Sequence, residues 1–445
     1  MGYNQPRVPR GRAGYLLIPG DWIGISVVDG EGTASLKSYK VLMIAPTSFF
    51  SDYGCSVRIL EEAQALQRLG NQVTVCTYRN GQNIPDLAIR RTLSIPFREH
   101  YEVGSSPHKI AFDFLLLGTV VATALRQRPD VIHSHMHEGA LIGLMVGGLL
   151  RIPMVFDFQG SLTSEMMDHK FLRQESAFYR PLRWLEVRLD RLSPVILTSS
   201  HNARRLLLTE FGCRPERVRT VADCVDDKRF YPVDEAECVA LSERRNSLGI
   251  PPDRKIVVYL GLLADYQGID ALLHAVVHLL RQRDDVHFLI MGFPHVEHYQ
   301  QMAHDLGVAA HTTFTGKIPY RQARDFLALG DVAVAPKLSA TEGSGKILNY
   351  MAMGLPIVAF DTPVSREYLG DEGIYALPGD PVSLAQGLLR ALACLPGAAD
   401  HHHRLTEGRP LACGSTLRRI ATESYSWDRA AETILQAYHS VCHQR

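Results

Sequence analysis

The sequence lacks an apolar run long enough to cross a bilayer, and its positive and negative charges are balanced. The most apolar internal stretches, residues 114–125 and 139–150, are shorter than the roughly 20 residues that a spanning helix requires, and we expect both to be buried helices. Lysine plus arginine and aspartate plus glutamate each number 47, so the overall charge does not favour nucleic acid. We therefore predict no transmembrane segment and no nucleic-acid partner.

The sequence also lacks paired cysteines and a strong leader segment. Its eight cysteines are scattered, with no CxxC pair and no spacing typical of a metal site. Thiols spread in this way are typical of a reducing cytoplasm, where we expect the protein. The N-terminal residues are basic but precede only a short apolar stretch, too weak for a signal peptide. Residues 1–38 therefore read as an N-terminal extension whose composition allows disorder.

Two nucleotide-binding motifs are missing as well. No G-x-G-x-x-G follows the strands predicted at Lys40 and Lys255, which disfavours a nicotinamide or flavin dehydrogenase. Residues 340–347 almost match a phosphate-binding P-loop. However, Ala340 stands where the motif requires its first glycine, and Ile347 stands where it requires a metal-binding hydroxyl. A phosphotransferase is disfavoured for that reason.

What the sequence does contain is an alternation of short β-branched runs with helical periods, the pattern of parallel sheets wrapped by helices. Strands are predicted at residues 40–46, 72–76, 131–135, 154–158 and 195–199, then at 255–260, 286–291, 312–315, 332–335 and 356–360. The charged segment 231–252 between the two series predicts a hinge. Ligands bind beyond the carboxyl ends of such strands, so we expect the site in a cleft between two lobes.

The stretch TEGSGKILNY, residues 341–350, follows a predicted strand and opens a helix. Backbone N–H groups from Glu342 to Lys346 would point out of the helix start, which carries partial positive charge, and Lys346 adds a full charge. Ser344 and Gly345 are small enough for a diphosphate to approach closely. The alternative is a small-residue helix start that only packs well.

Three histidines alternate near the end of a predicted strand. On an extended chain His133, His135 and His137 would all face one way. No carboxylate with helical spacing completes a zinc site, so we predict no metal. One or two of these histidines are expected in the cleft, and simple structural packing is an equal alternative.

Several stretches occur in the order of a known family. They are DVIHSH at 130–135, residues 223–230 beside the pattern N-G-V-D-x-x-x-F, YLGLLADYQG at 259–268, FTGKIP at 314–319, GKILNYMAMGLPIVA at 345–359 and YSWDRAA at 425–431. Together they resemble the retaining glycosyltransferases of family 4. The resemblance implies the α/β GT-B fold, in which two Rossmann-like parallel-sheet lobes face each other across a cleft.

The resemblance also implies how the chain is divided and what it does. Residues 39–230 would form the acceptor-side lobe, residues 253–420 the lobe that binds a nucleotide-sugar, and residues 421–445 a helix that crosses back to the first lobe. The implied reaction is sugar transfer with retention and without a cofactor or metal. No protein nucleophile is needed if the leaving diphosphate takes the acceptor proton.

Individual donor contacts follow from the matched positions. The resemblance implies that Gly54 approaches the donor phosphates and that His135 contacts the transferred sugar. Lys317 and Ile318 would meet the nucleobase through their backbone, and Gly261 lies in a donor-side motif.

The chain departs from the family at the diphosphate. Family members usually carry an arginine and a lysine where this chain has Leu262 and Gln267. They usually carry two glutamates eight residues apart, where this chain has Thr341 and Asn349, with Glu342 one residue out of step.

Because the family's two cations are missing, another residue has to stabilise the diphosphate. We expect Lys346 to carry the leaving-group charge, with Glu342 and Asn349 as donor contacts. Two alternatives stay open: a non-catalytic nucleotide-sugar-binding module and a GT-B epimerase of nucleotide sugars.

The acceptor side is less defined. By resemblance Asp157 and Gln159, after a first-lobe strand, are acceptor contacts for a saccharide or a lipid-linked sugar. A basic run between Arg180 and Arg205, with apolar cleft-side helices, favours a lipid-linked acceptor and peripheral contact at the inner membrane surface. The more ordinary explanation of that run is a solvated helix face.

Overall fold

The computed structural model describes residues 37–50, 54–94, 109–339, 342–395 and 412–443. Within these ranges the chain forms two separate parallel sheets, one of seven strands and one of six. The prediction of two α/β lobes is confirmed. Residues 1–36 of the predicted extension, and Thr341, lie outside the described residues.

The first lobe contains the seven-stranded sheet, in the spatial order β3-β2-β1-β4-β5-β6-β7 with every pairing parallel. Its strands are β1 (Lys40–Ala45), β2 (Gln72–Thr77), β3 (Ala88–Arg91), β4 (Val131–His135), β5 (Met154–Phe158), β6 (Ile196–Thr198) and β7 (Val218–Thr220). Its helices are α1 (Gly54–Arg68), α2 (Lys109–Gln127), α3 (Met136–Leu150), α4 (Leu162–Asp168), α5 (Tyr179–Leu192) and α6 (His201–Thr209).

Alternate residues of β1 show how this sheet is covered on both faces. Val41 and Met43 belong to the same core cluster as Ile59 of α1. Leu42 belongs to the opposite cluster, with Phe112 of α2. Because successive side chains of a strand point to opposite faces, α1 and α2 cover different sides of the sheet.

The second lobe contains the six-stranded sheet, in the order β10-β9-β8-β11-β12-β13, again parallel. Its strands are β8 (Lys255–Leu260), β9 (Val286–Met291), β10 (Thr312–Gly316), β11 (Val332–Ala335), β12 (Ile357–Phe360) and β13 (Ile374–Ala376). Helix α7 (Cys238–Ser247) precedes it, and its helices are α8 (Ile269–Leu280), α9 (Val296–Asp305), α10 (Ala323–Leu327), α11 (Gly345–Ala352), α12 (Pro363–Leu369) and α13 (Pro381–Ala393).

The last two helices, α14 (Ala412–Ser424) and α15 (Trp427–Cys442), bring the chain back to the first lobe. Helix α14 packs on α11, whereas α15 packs on α1. The Tyr438 hydroxyl lies 2.7 Å from His133 Nδ1 in β4, and Trp427 is buried. A single bridge pairs Val225 with Ser426 where the chain passes between the lobes.

The sequence did not predict three of these strands, β3, β7 and β13, and all three lie at sheet edges. Strands β3 and β7 contain arginines, and all three strands contain half-buried positions. An edge strand is covered less completely than a central one, so it carries no continuous β-branched run to reveal it.

Helices α2 and α3 differ from the prediction of buried helices because only their inner faces are covered. Their inner faces pack on the sheet, but Phe114 and Leu149, among others, are exposed. Helix α2 is also long and apolar enough to cross a membrane by length and composition alone, although here it is the crossover connection from β3 to β4. Its 19 residues exceed the apolar run 114–125 because the flanking residues also join the helix.

Two glycines of α3 offer a matched test of this packing. A Cβ on Gly143 would lie 2.1 Å from Ser134 Oγ and 2.6 Å from Met154 Sδ, whereas a Cβ on Gly148 would meet nothing within 4 Å. We expect Gly143→Ala to lower the free energy of unfolding by about 1–3 kcal/mol through overpacking. Gly148→Ala should raise it by up to about 1 kcal/mol, because alanine favours helix. Urea unfolding of both variants measures this, and effects of the same sign would contradict the packing.

Candidate active site

A cleft of about 310 Å³ lies between the lobes, and its walls include residues that directly follow strands of both sheets. Those residues are Pro46 after β1, Met136 after β4, Gln159 after β5, Ser199 after β6, Gly261 after β8 and Gly292 after β9, and Lys337 lies two residues beyond β11. This is the position in which open parallel sheets bind ligands.

The start of α11 opens on the cleft from the second lobe. Ser344 is its N-cap residue, and the Ser344 hydroxyl is buried without a hydrogen-bond partner among the described residues. Gly345 begins the helix and also lines the cleft. The orphan N–H groups and positive pole of a helix start attract anions, and a buried hydroxyl beside them is a further donor for such a ligand.

Lys346 supplies a cation at the same place. Its Nζ donates to Gln267 Oε1 at 2.8 Å and to the Tyr259 hydroxyl at 3.2 Å, and lies 4.4 Å from the centre of the Tyr259 ring. Burial, together with Lys337, lowers the pKa of Lys346 well below its usual value, although Glu342 opposes this. A bound anion would favour the charged ammonium.

The glycine at 261 is required for that arrangement. Its φ is +155°, and a Cβ built there would lie 2.6 Å from Lys346 Nζ. Gly261 therefore acts by leaving room for the ammonium group. Gln267, which stands at the position of the family's lysine, holds the same ammonium group in place.

Lys337 is a second cation in the cleft, and sequence analysis missed it. Its Nζ donates to Glu342 Oε2 at 2.7 Å and to the Gly343 carbonyl at 2.8 Å. Burial alone would raise the pKa of Glu342, but Lys337 lowers it below the ordinary value. The available signal was its place two residues beyond β11, where a parallel sheet binds ligands.

The loop before α11 touches the first lobe directly. A Cβ on Gly343 would lie 2.2 Å from Asp223 Oδ2, and a Cβ on Gly160 would lie 3.0 Å from Glu342 Cγ. The two glycines therefore allow the cleft walls to meet at this point.

A buried arginine of α1 belongs to the cleft lining and joins several segments of the first lobe. Arg58 contacts the two carboxylate oxygens of Asp157 at 2.8 and 3.1 Å, Glu62 at 3.1 Å and Asp223 at 3.0 Å. Burial alone would lower the pKa of Arg58, but the three carboxylates, Asp157 foremost, raise it above its ordinary value. Arg58 was missed because it adjoins an apolar helical stripe and looks like a solvated residue in sequence.

Asp157 belongs to that network and does not line the cleft. Its side chain is fully buried, and besides Arg58 it contacts His135 Nδ1 at 3.0 Å. Burial alone would raise the pKa of Asp157, but Arg58 and His135 hold it well below its usual range. Asp157 is thus a buried anchor, whereas Gln159, which donates to it at 2.9 Å, reaches the cleft. The implied acceptor contacts of both residues stay predictions.

His135 is also fully buried, at the end of β4. Its contact with Asp157 places the ring proton on Nδ1, and Nε2 has no hydrogen-bond partner among the described residues. The implied contact between His135 and a transferred sugar stays a prediction.

Of the three alternating histidines, only His137 departs from the common face that the sequence predicted. The strand ends at His135, so His137 lies in the first turn of α3, 3.2 Å from Asp190. Burial alone would lower the pKa of His137, but Asp190, followed by Glu186, raises it to about 9. His133 and His135 do share one face, because their rings stack with centroids 4.5 Å apart, and His133 also contacts Tyr438 and Glu62.

The fold brings carboxylates next to two of these histidines from distant parts of the sequence. Glu62, His133, His135 and Asp157 form a buried group whose potential ligand atoms lie within 4.8 Å of one another. Arg58 contacts both of its carboxylates. A cation therefore already lies against both carboxylates of the group and offsets part of their charge.

Three of the remaining predicted donor residues line the cleft, and one does not. Gly54, Ile318 and Asn349 line the cleft, and a Cβ on Gly54 would meet nothing within 4 Å. Lys317 does not belong to that lining, and its Nζ lies 5.2 Å from the centre of the Phe293 ring.

Glu165 of α4 is a further cleft residue that the sequence did not indicate. Burial, reinforced by Glu342, raises the pKa of Glu165 to about 7, against the opposing effect of Lys109. The first lobe thus presents a carboxyl group that changes protonation near neutral pH.

Matches to known protein families identify the family of this chain. Residues 54–229 match the family described as Glycosyltransferase Family 4, and residues 254–394 match the family described as Glycosyl transferases group 1. The chain belongs to glycosyltransferase family 4. The resemblance seen in the sequence motifs is confirmed.

Relatives of this family 4 enzyme extend over nearly the whole chain. The D-inositol 3-phosphate glycosyltransferase of Kribbella flavida is 24% identical over 436 residues, which are 94% of this chain and 93% of that protein. The phosphatidyl-myo-inositol mannosyltransferase of Mycobacterium leprae is 24% identical over 406 residues, 90% of this chain and 97% of that protein.

A solved structure supports the same fold. Sucrose-phosphate synthase from Thermosynechococcus elongatus superposes with a TM-score of 0.74 at 16% identity, covering 92% of this chain and 100% of the other. The GT-B fold is thereby confirmed. The family 4 chain is a glycosyltransferase, as the motifs predicted.

The carboxyl group of Glu165 leads to a pH-dependent stability prediction. Its folded pKa of about 7 exceeds the value of about 4.3 expected in an unfolded chain, so stability falls as pH rises through this window. Glu165→Gln removes that loss. We expect its advantage over the parent in free energy of unfolding to grow from pH 5 to pH 8, reaching up to about 3 kcal/mol.

Melting curves across this pH range measure the effect, with the exposed Glu175→Gln as the control for a lost charge. A difference that does not change with pH would show that Glu165 is ionised throughout.

Proposed function

We propose that this enzyme transfers a glycosyl group, with retention, from a nucleotide-sugar held by the second lobe to an acceptor held by the first. The observation that carries the proposal is the start of α11, where Ser344 and Lys346 face the cleft. A diphosphate fits this combination of helix pole, hydroxyl and ammonium. Gly54 of the first lobe lies on the lining of the same cleft.

The proposed chemistry needs stabilisation of a leaving group more than it needs a nucleophile. As the bond between sugar and diphosphate breaks, negative charge grows on the diphosphate, and Lys346 stabilises that charge. The diphosphate itself takes the proton of the attacking acceptor hydroxyl. Lys337, held by Glu342 in the resting cleft, is a second source of positive charge.

For the acceptor, we propose a polyhydroxylated compound, either free or lipid-linked. The two relatives carry the names of transferases for D-inositol 3-phosphate and phosphatidyl-myo-inositol. On the first lobe the cleft presents Gln159 and Glu165, which can bind hydroxyl groups.

A non-catalytic binding module is the second candidate, because Leu262 and Gln267 replace the cations of the family. Incubation with UDP-, GDP- and ADP-sugars separates the candidates. A transferase releases nucleoside diphosphate and forms a product whose anomeric NMR signal reports retention. A binding module raises the melting temperature but releases nothing, and an epimerase converts the donor into its epimer.

Lys346→Ala tests the assigned leaving-group cation. We expect transfer to slow by tens- to thousands-fold, about 2 to 4 kcal/mol of barrier, with little change in melting temperature. Steady-state kinetics and thermal unfolding measure the two effects. Parent-like kinetics with unchanged nucleotide affinity would remove Lys346 from the mechanism.

The double variant Leu262→Arg with Gln267→Lys is the matched gain-of-charge experiment. Both residues line the cleft beside Lys346, so we expect tighter binding of nucleoside diphosphate. No gain would place the diphosphate elsewhere.

The absence of a metal requirement is also a proposal. We expect transfer to persist in excess chelator, because Arg58 already contacts the carboxylates nearest His133 and His135. Activity assays with EDTA, followed by added Mn²⁺ or Mg²⁺, measure this. Activity that is lost in chelator and restored by either ion would make the buried group of Glu62, His133, His135 and Asp157 the metal candidate.

A further inference from the structure

Two neighbouring helices of the first lobe are apolar on both faces but lie at the surface. Helix α2 packs Phe112, Leu116 and Val120 against the sheet, while Phe114 on its outer side is 71% exposed. A helix that is apolar all round is normally covered on all sides.

Helix α3 repeats the pattern. It carries no charged residue after Glu138, and Leu149 on its outer side is 74% exposed. Helices α2 and α3 contact each other, so their outer sides form one surface. We define this α2–α3 face by its exposed residues Ile110, Phe114, Leu125, Leu141, Met145 and Leu149.

Helix α5 continues the surface and adds positive charge. It contacts α3 and exposes Trp184 at 67%. Arg180 and Arg188 of α5 are exposed as well, as is Arg126 at the end of α2. An apolar surface bordered by arginine and tryptophan is typical of proteins that lie on a bilayer.

The acidic residues of these three helices are engaged within the lobe. Asp113 accepts from the Tyr78 hydroxyl at 2.5 Å, and Glu138 pairs with Lys109 at 2.5 Å. On α5, Glu186 and Asp190 are buried. The outer surface of α2, α3 and α5 therefore combines apolar side chains with positive charge.

The α2–α3 face adjoins the cleft. Lys109 begins α2, and Glu138 lies in the first turn of α3, and both line the cleft. Ile110 directly follows Lys109 and is exposed. A surface resting on this face would therefore lie beside the part of the cleft formed by the first lobe.

We propose that the α2–α3 face docks on a lipid bilayer with anionic headgroups. Burying these side chains is favourable for any apolar partner, but the arginines select a negatively charged one. A second copy of the chain would bring its own arginines against them, and like charges repel. The docking does not depend on which sugar the enzyme transfers.

Vesicle co-sedimentation of the full chain tests the proposal. We expect the protein to bind vesicles containing about 30% phosphatidylglycerol about tenfold or more tightly than pure phosphatidylcholine, with weaker binding at high salt. Trp184 fluorescence should shift to shorter wavelength on binding. In a Trp22→Phe background, whose only tryptophans are Trp184 and Trp427, Trp184→Phe should remove that shift, because Trp427 is buried in the core.

Substitutions then locate the surface. Phe114→Ser with Leu149→Ser should weaken vesicle binding about tenfold or more, and Arg180→Glu with Arg188→Glu should remove the preference for the anionic lipid. The matched control is Leu377→Ser in the second lobe, where Leu377 is 62% exposed, and it should leave binding unchanged. Circular dichroism and melting temperature confirm that each variant folds.

Three outcomes would overturn the proposal. One is a parent chain that binds neither kind of vesicle. Another is equal binding by the parent and the Phe114→Ser, Leu149→Ser variant. The third is a dimer, seen by analytical ultracentrifugation, that the same variant abolishes and that prevents vesicle binding, since a second copy would then cover the face.

Discussion

The contact between Arg58 and Asp157 supports the cleft on the side of the first lobe. It holds helix α1 to the end of β5, orients His135 through the same carboxylate, and extends through Asp223 to the glycine loop of the second lobe. Removing Arg58 would leave the buried Asp157 without its cation, at a cost of about 3–5 kcal/mol. The histidine, the start of α1 and the loop before α11 would then lose their common anchor.

On the side of the second lobe, space and charge are arranged around Lys346. Gly261 leaves room for its ammonium group, while Gln267 and Tyr259 hold it. The resting cleft thus compensates its cations with neutral oxygens and with Glu342, which pairs with Lys337. An anionic ligand can replace the neutral oxygens around Lys346, because it offers that ammonium group a full opposite charge in a partly buried place.

The sequence predicted the parts of the fold that depend on continuous patterns, namely the central strands and the helix opening after β11. It missed the edge strand β3 and the buried ion network, since Arg58 and Asp157 are 99 residues apart and only the fold joins them. It also predicted that Phe114 would be buried, whereas Phe114 is exposed. An apolar stretch has the same composition whether the rest of the protein or another surface covers it. The family motifs indicated Gln159 and Lys346 but could not indicate Lys337 or Glu165.

The pairing of Val225 with Ser426 has a consequence for motion. The chain passes from the first lobe to the second and later returns, and these two passages run side by side at that bridge. The bridge joins the two passages, so any movement of one lobe relative to the other has to bend both of them.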